Sequence, residues 1–200
     1  MRRAFVLAHG KLAAALVAAL VAVLVAACGA MGTREADRYF VLDVAPAAAA
    51  APRTAPALVV MPTTVSSFYD TQDIAYSRAT GTRAYYQFNH WTDRPQRAVH
   101  AQLVSRLGAA NSAGGFILAT HLDEIYHDAA QQPGTARLTV SAQLVDPKSR
   151  AVVAQRVFNG AAPAASFDAP GAVDGMRRAL GALLDEIAAW AAATPPAAAR

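Results

Sequence analysis

The chain has 200 residues, 51 of them alanine; 54% are hydrophobic, 16% are charged and one is cysteine. That length suits one domain with short extensions, and so apolar a composition excludes a disordered chain. A single cysteine excludes an intramolecular disulfide framework and any multi-cysteine zinc or iron–sulfur site.

Arg2, Arg3 and Lys11 are the only charges before Cys28, and Leu12–Ala27 is an unbroken apolar run of 16 residues. A basic flank, an apolar run and a small-residue exit make an export signal, which is not part of the fold. The run falls short of the ~18–20 apolar residues that a spanning helix needs. It ends in Leu24-Val25-Ala26-Ala27-Cys28-Gly29, which resembles the bacterial lipobox. The resemblance implies cleavage between Ala27 and Cys28 and a covalent lipid on Cys28, both N-acyl and S-diacylglyceryl. Several acyl chains anchor stably, since each buried CH₂ contributes ~0.8 kcal/mol. Gly29 follows where Asp is associated with inner-membrane retention, which favours the outer membrane. Without the three leader cations, 15 basic residues face 14 acidic ones, about +1 in place of +4. No basic footprint for nucleic acid remains.

In chain order, residues 28–38 read as the lipidated Cys and a polar tether, and residues 39–193 as the folded domain. Tyr39–Val44 is β-branched and aromatic, a first strand. The Ala/Pro segment 45–57 reads as a surface loop, because its prolines limit any helical run. Leu58–Met61 predicts a second strand, Ile74–Arg78 a third and Arg83–Trp91 a fourth. In the fourth, Tyr86, Phe88 and His90 share one face, and Tyr85, Gln87 and Asn89 the other. Asp93 is placed to cap a helix starting near Pro95, with Val99, Leu103 and Leu107 as its apolar stripe. Asn111–Gly115 ends it.

Phe116–Asp128 begins as a buried strand and turns polar. Arg137–Val145 alternates cleanly, Asp146–Ser149 is a turn and Ala151–Phe158 returns as a hairpin partner. After an Ala/Pro stretch, Asp168 caps a last helix whose stripe is Val173, Met176, Leu180, Leu183, Ile187 and Trp190. Residues 194–200 read as a frayed tail. The sum is an α/β or α+β domain with a mixed sheet and two principal helices, large enough to need no staple.

Nucleophile, metallopeptidase and phosphate-loop motifs are absent from the mature sequence. On a regular strand His121, Asp123 and His127 would share one face, yet ~20 Å separates the two histidines at 3.3–3.4 Å per residue. The expectation is therefore a solvated polar face, with no metal. Asp123 and Glu124 should point to opposite faces, which excludes a carboxylate pair. Asp185 and Glu186 should be solvated on the outer side of the last helix. No catalytic residue is assigned. Seven of the fifteen aromatics fall within 24 residues: Phe68, Tyr69, Tyr76, Tyr85, Tyr86, Phe88 and Trp91. Two readings stand for them, sheet packing or a partner surface.

The order of parts resembles that of a known family. A lipobox and tether precede Tyr39-Phe40-Val41-Leu42 and the strand Leu58–Pro62. Phe68-Tyr69-Asp70, Ile74–Arg78 and the aromatic strand ending at Trp91, with Pro95 opening a helix, complete it. This resembles the ABC-type transport auxiliary lipoproteins, the PqiC-type subunits that accompany MCE-domain lipid transporters, over about residues 39–190. The resemblance implies a three-layer mixed-sheet domain like the anticodon-binding fold. It implies a non-enzymatic outer-membrane lipoprotein facing the periplasm, with no cofactor beyond the lipid on Cys28. Its partners would be an MCE-domain periplasmic protein with an ABC permease and ATPase, which would move phospholipids or other hydrophobic molecules. A homo-oligomer would fit such a conduit. The alternative is an outer-membrane assembly or envelope-scaffold lipoprotein of the lipopolysaccharide-insertion type, without a transport ATPase.

Overall fold

The computed structural model describes residues 35–44, 58–107 and 115–194. The signal at 1–27, Cys28, most of the tether, the Ala/Pro loop, residues 111–114 of the helix end and the last six residues lie outside these. A compact unit begins at Asp37. Its elements are β1 (Arg38–Phe40), β2 (Leu58–Val60), β3 (Thr64–Val65), a 3-10 turn (Ser67–Tyr69), β4 (Asp73–Ser77), β5 (Ala84–Trp91) and α1 (Pro95–Leu107). After these come β6 (Phe116–Asp128), β7 (Thr135–Val145), β8 (Val152–Pro163) and α2 (Ala169–Ala193).

Eight strands make one mixed sheet in the order β1-β5-β4-β6-β7-β8. β2, β3 and β4 follow one another along the same side of β6, each parallel to it, while β7 lies antiparallel on the other side. The long β6–β7–β8 meander is the framework. Paired positions Leu118/Leu144, Leu122/Val140 and Ile125/Leu138 all point into the core. Both helices close that face. The expected stripes are present: Val99 and Leu103 of α1 are buried, as are Val173, Met176, Leu180, Leu183 and Ile187 of α2, and Trp190 is half-buried. Gly160 lets α2 lie close on β8; a Cβ there would meet the Ala179 carbonyl at 3.0 Å. On the far side of the sheet the 3-10 turn covers part of β4–β6 with Tyr69.

Three local expectations change, and one short strand, β3, is added. The first strand stops at Phe40, because the Val41 carbonyl accepts from Nε and Nη2 of Arg177 on α2 instead of from a strand. Asp93 accepts the Arg94 amide, one residue ahead of α1, and does not cap it. β3 was too short to show a period. β8 continues through the Ala/Pro stretch to Pro163, which sits opposite Thr135 at the strand end, where its missing N–H is tolerated. Asp168 caps α2 as expected, its Oδ1 accepting the Gly171 amide at 2.9 Å.

Candidate functional site

The aromatic region divides when its side chains are placed. Trp91, at the end of β5, is 1% exposed, and Tyr69 is 7% exposed; both are core, so neither offers a partner surface. Tyr76 and Tyr86 are half-buried and tilt together at 4.8 Å between centroids, and Phe88 is half-buried on β5. Only Phe68 and Tyr85 keep large open areas. Their rings stack at 4.6 Å and 14°, and the Tyr85 hydroxyl donates to the Phe68 carbonyl at 2.6 Å. An offset stack locked by a hydrogen bond is a rigid, amphipathic platform.

Beside it, Arg83 organises the far face of the sheet. Its Nε donates to the Tyr69 hydroxyl at 3.0 Å and its Nη2 to Glu124 at 2.9 Å. The guanidinium lies 3.7 Å above the Tyr126 ring, a cation–π contact. Burial pushes the Tyr69 phenol above its ordinary range.

The register of β6 against β7 shifts between Leu122 and Glu124. Such a bulge inserts one residue and reverses the alternation beyond it. Two expectations fall for that reason. Asp123 and Glu124 both address the far face: Asp123 accepts from Ser141 at 2.8 Å and Glu124 from Arg83. They hold separate partners and form no acid–base pair. His121 and His127 lie on opposite faces of the sheet, not one. His121 stays part-exposed, bonded to Thr64 at 2.7 Å and Ser66 at 3.2 Å. His127 is fully buried among core residues, so it is no part of a solvated face. Among the described residues no three His, Cys, Asp or Glu side chains converge as a metal site would require.

His127 takes two hydrogen bonds, from Tyr86 to Nδ1 at 2.7 Å and between Nε2 and the Pro133 carbonyl at 3.0 Å. Phe167 meets the ring edge-on at 6.1 Å. Desolvation drives the His127 pKa down, and burial followed by the nearby Asp168 charge pushes Tyr86 up to about 12. Tyr86 is thus a neutral hydroxyl at any physiological pH. Asp185 does more than expected: it pairs with Arg106, which is buried beneath it, and so joins α1 to α2.

Among the described residues are two open clefts of about 500 Å³. One, at the β6–β7 connection, is lined by Asp128, Pro133, Gly134 and Arg137, and the other by Asp43, Asp174, Arg177 and Gly181. Ion pairs occupy their walls: Arg137 with Asp128 at 2.8 Å, and Arg177 with Asp43 at 3.0 Å. Polar walls already paired with one another suit a structural rim.

A mixed sheet closed by two helices, with a small aromatic platform on the opposite side, defines an α+β domain. Residues 40–121 match the family model described as the ABC-type transport auxiliary lipoprotein component. The resemblance read from the residues is thus matched from the end of β1 to the middle of β6. A crystal structure from Xanthomonas campestris is similar at 21% identity and a TM-score of 0.69, covering 78% of this chain and 96% of that one. A second, of an uncharacterized protein, is similar at 12% identity and a TM-score of 0.63, covering 78% and 99%. At 78% of the chain, the likeness of fold extends beyond the residues of the family match. No curated protein matches the chain.

Proposed function

We propose that this protein is an outer-membrane lipoprotein, anchored through acylated Cys28. It serves as the periplasmic auxiliary subunit of an ABC/MCE-type system that moves phospholipids or other hydrophobic molecules between membranes. The observation that carries the reading is the family match over residues 40–121. Its role is binding and coupling, with no chemical step of its own; energy comes from the partner ATPase. The Phe68–Tyr85 platform is the contact for an MCE-domain partner, because it is the exposed remnant of the aromatic cluster and is held rigid by its own hydrogen bond. Rigid aromatic anchors bind at low entropic cost.

The test is affinity recovery of the native lipoprotein from detergent-solubilised envelopes, with identification of co-purifying proteins by mass spectrometry. An MCE-domain protein with permease and ATPase supports the reading. Recovery of a lipopolysaccharide-insertion barrel instead would move the protein to the alternative class. The mass of the N-terminal peptide checks Cys28 separately.

A further inference from the structure

The far face of the sheet carries an uninterrupted aliphatic row at the end where β6 begins. Val59 of β2 pairs with Ile117 of β6, Ile117 with Val145 of β7, and Val145 with Val152 of β8. Their chain neighbours Leu58, Leu118 and Leu144 are in the core, so alternation turns Val59, Ile117 and Val145 away from the helices, and Val152 follows as the partner of Val145 across a register shift in β8. Val59 is 40% exposed and Val152 50%. Met61 and Val153 extend the exposed aliphatic surface along β2 and β8.

The turn that joins β7 to β8 projects beyond this row and carries Lys148 and Arg150, both exposed. Among the described residues neither side chain has an ion-pair partner. Asp146, the one acid of the turn, folds its carboxylate back onto the Lys148 and Ser149 amides at 2.7 and 3.0 Å. The turn presents two cations against one carboxylate, directly beside exposed valines. Aliphatic area flanked by Lys and Arg complements an anionic lipid surface, where headgroups meet the cations and the acyl boundary meets the apolar row. Protein interfaces favour aromatic residues and are depleted in lysine, which is the composition of the Phe68–Tyr85 platform and not of this rim.

We infer that the β7–β8 turn and the row Val59–Ile117–Val145–Val152 seat the domain on an anionic bilayer surface. This rests on the reading of the chain as membrane-tethered and adds an orientation to it. An environment-sensitive fluorophore is placed on Val152→Cys in the full-length lipoprotein, with Ala182→Cys on the exposed side of α2 as comparator. Both are reconstituted in phosphatidylcholine vesicles with or without phosphatidylglycerol, using acyl-brominated lipids as quenchers. The expected result is several-fold stronger quenching at position 152 than at 182 in the phosphatidylglycerol vesicles. Lys148→Glu with Arg150→Glu should abolish that difference. Equal quenching at the two positions overturns the inference, as does shielding of position 152 from aqueous iodide without lipid quenching, which would mean a protein occupant. An unacylated Cys28 would take a second fluorophore in both variants, seen by mass. That outcome strikes the lipidation reading, while the contrast between 152 and 182 still decides the seating.

Discussion

The Tyr86 hydroxyl lies 2.7 Å from Nδ1 of His127, and the Pro133 carbonyl lies 3.0 Å from Nε2 of the same ring. A carbonyl only accepts, so Nε2 carries the proton and Nδ1 accepts from Tyr86; the buried imidazole is satisfied in its neutral form. Burial lowers its pKa. Between that lowered value and the unfolded value of about 6.5, the unfolded chain holds more protons than the folded one. Stability therefore rises with pH through this window and is lost as pH falls below about 6.5. Urea midpoints measured at about pH 7.5 and about pH 5.5 should differ, and His127→Gln should flatten the difference while lowering stability at the higher pH. A slope unchanged by the substitution would assign it to another group.

Gly134 sits against the same ring with φ +90°, and a Cβ there would run into His127 Nε2 and lie 2.7 Å from the Asp128 carbonyl. Gly81 also has positive φ, +74°, but nothing lies within 4 Å of its would-be Cβ. The pair separates backbone strain from collision. Gly81→Ala should cost about 1 kcal/mol. Gly134→Ala should cost clearly more, since buried backbone and a buried ring must move together. Equal losses by chemical denaturation would show that the loop around Pro133 yields freely.

Asp168 opens α2, accepting the Ser166 hydroxyl at 2.5 Å and the Gly171 amide at 2.9 Å. Those two bonds, the Ser166 hydroxyl foremost, hold its carboxyl below the ordinary range. The stabilisation is complete above the unfolded pKa of about 3.9 and disappears as pH falls through the lower folded value. Asp168→Ala should cost about 1 kcal/mol near neutrality. Asp168→Asn should keep most of the cap, because Asn caps nearly as well, yet weaken the dependence on acid. Thermal melts from about pH 7 to pH 3 check both.

Periodicity made the helices and the β7 alternation legible, because Val173 to Ile187 and Leu138 to Leu144 each answer to one buried face. Composition made the Asp168 cap legible. Elsewhere the deciding contacts come from far along the chain. Nothing near Val41 announces that Arg177, on the last helix, will take its carbonyl and end β1. Nothing in Leu122-Asp123-Glu124 announces a bulge, and that one inserted residue moved His127 from the far face into the core and brought Asp123 and Glu124 to the same side. The aromatic cluster was visible as density of rings, but its division into buried Trp91 and open Phe68–Tyr85 depends on which strand lies under the 3-10 turn. The aliphatic row needs four strands in register, and β2 reaches the β6–β7–β8 meander from far up the chain, so no short sequence window contains it.

The aromatic cluster allows stability and partner binding to be separated. Trp91 is the largest fully buried side chain, and Trp91→Ala should cost about 3–5 kcal/mol through lost burial and a residual cavity. Domains of this kind hold ~5–15 kcal/mol in all, so that variant should melt far lower and lose its partner along with its fold. Phe68→Ala and Tyr85→Ala remove exposed rings whose mutual stacking contributes about 0.5–1.5 kcal/mol, so each should leave the melting transition nearly in place. If the platform contacts an MCE-domain partner, recovery of that partner should fall sharply in both variants despite an intact fold. Unchanged recovery with Tyr85→Ala, in a protein that melts normally, would remove these rings from the binding surface and leave the family reading to stand on other contacts.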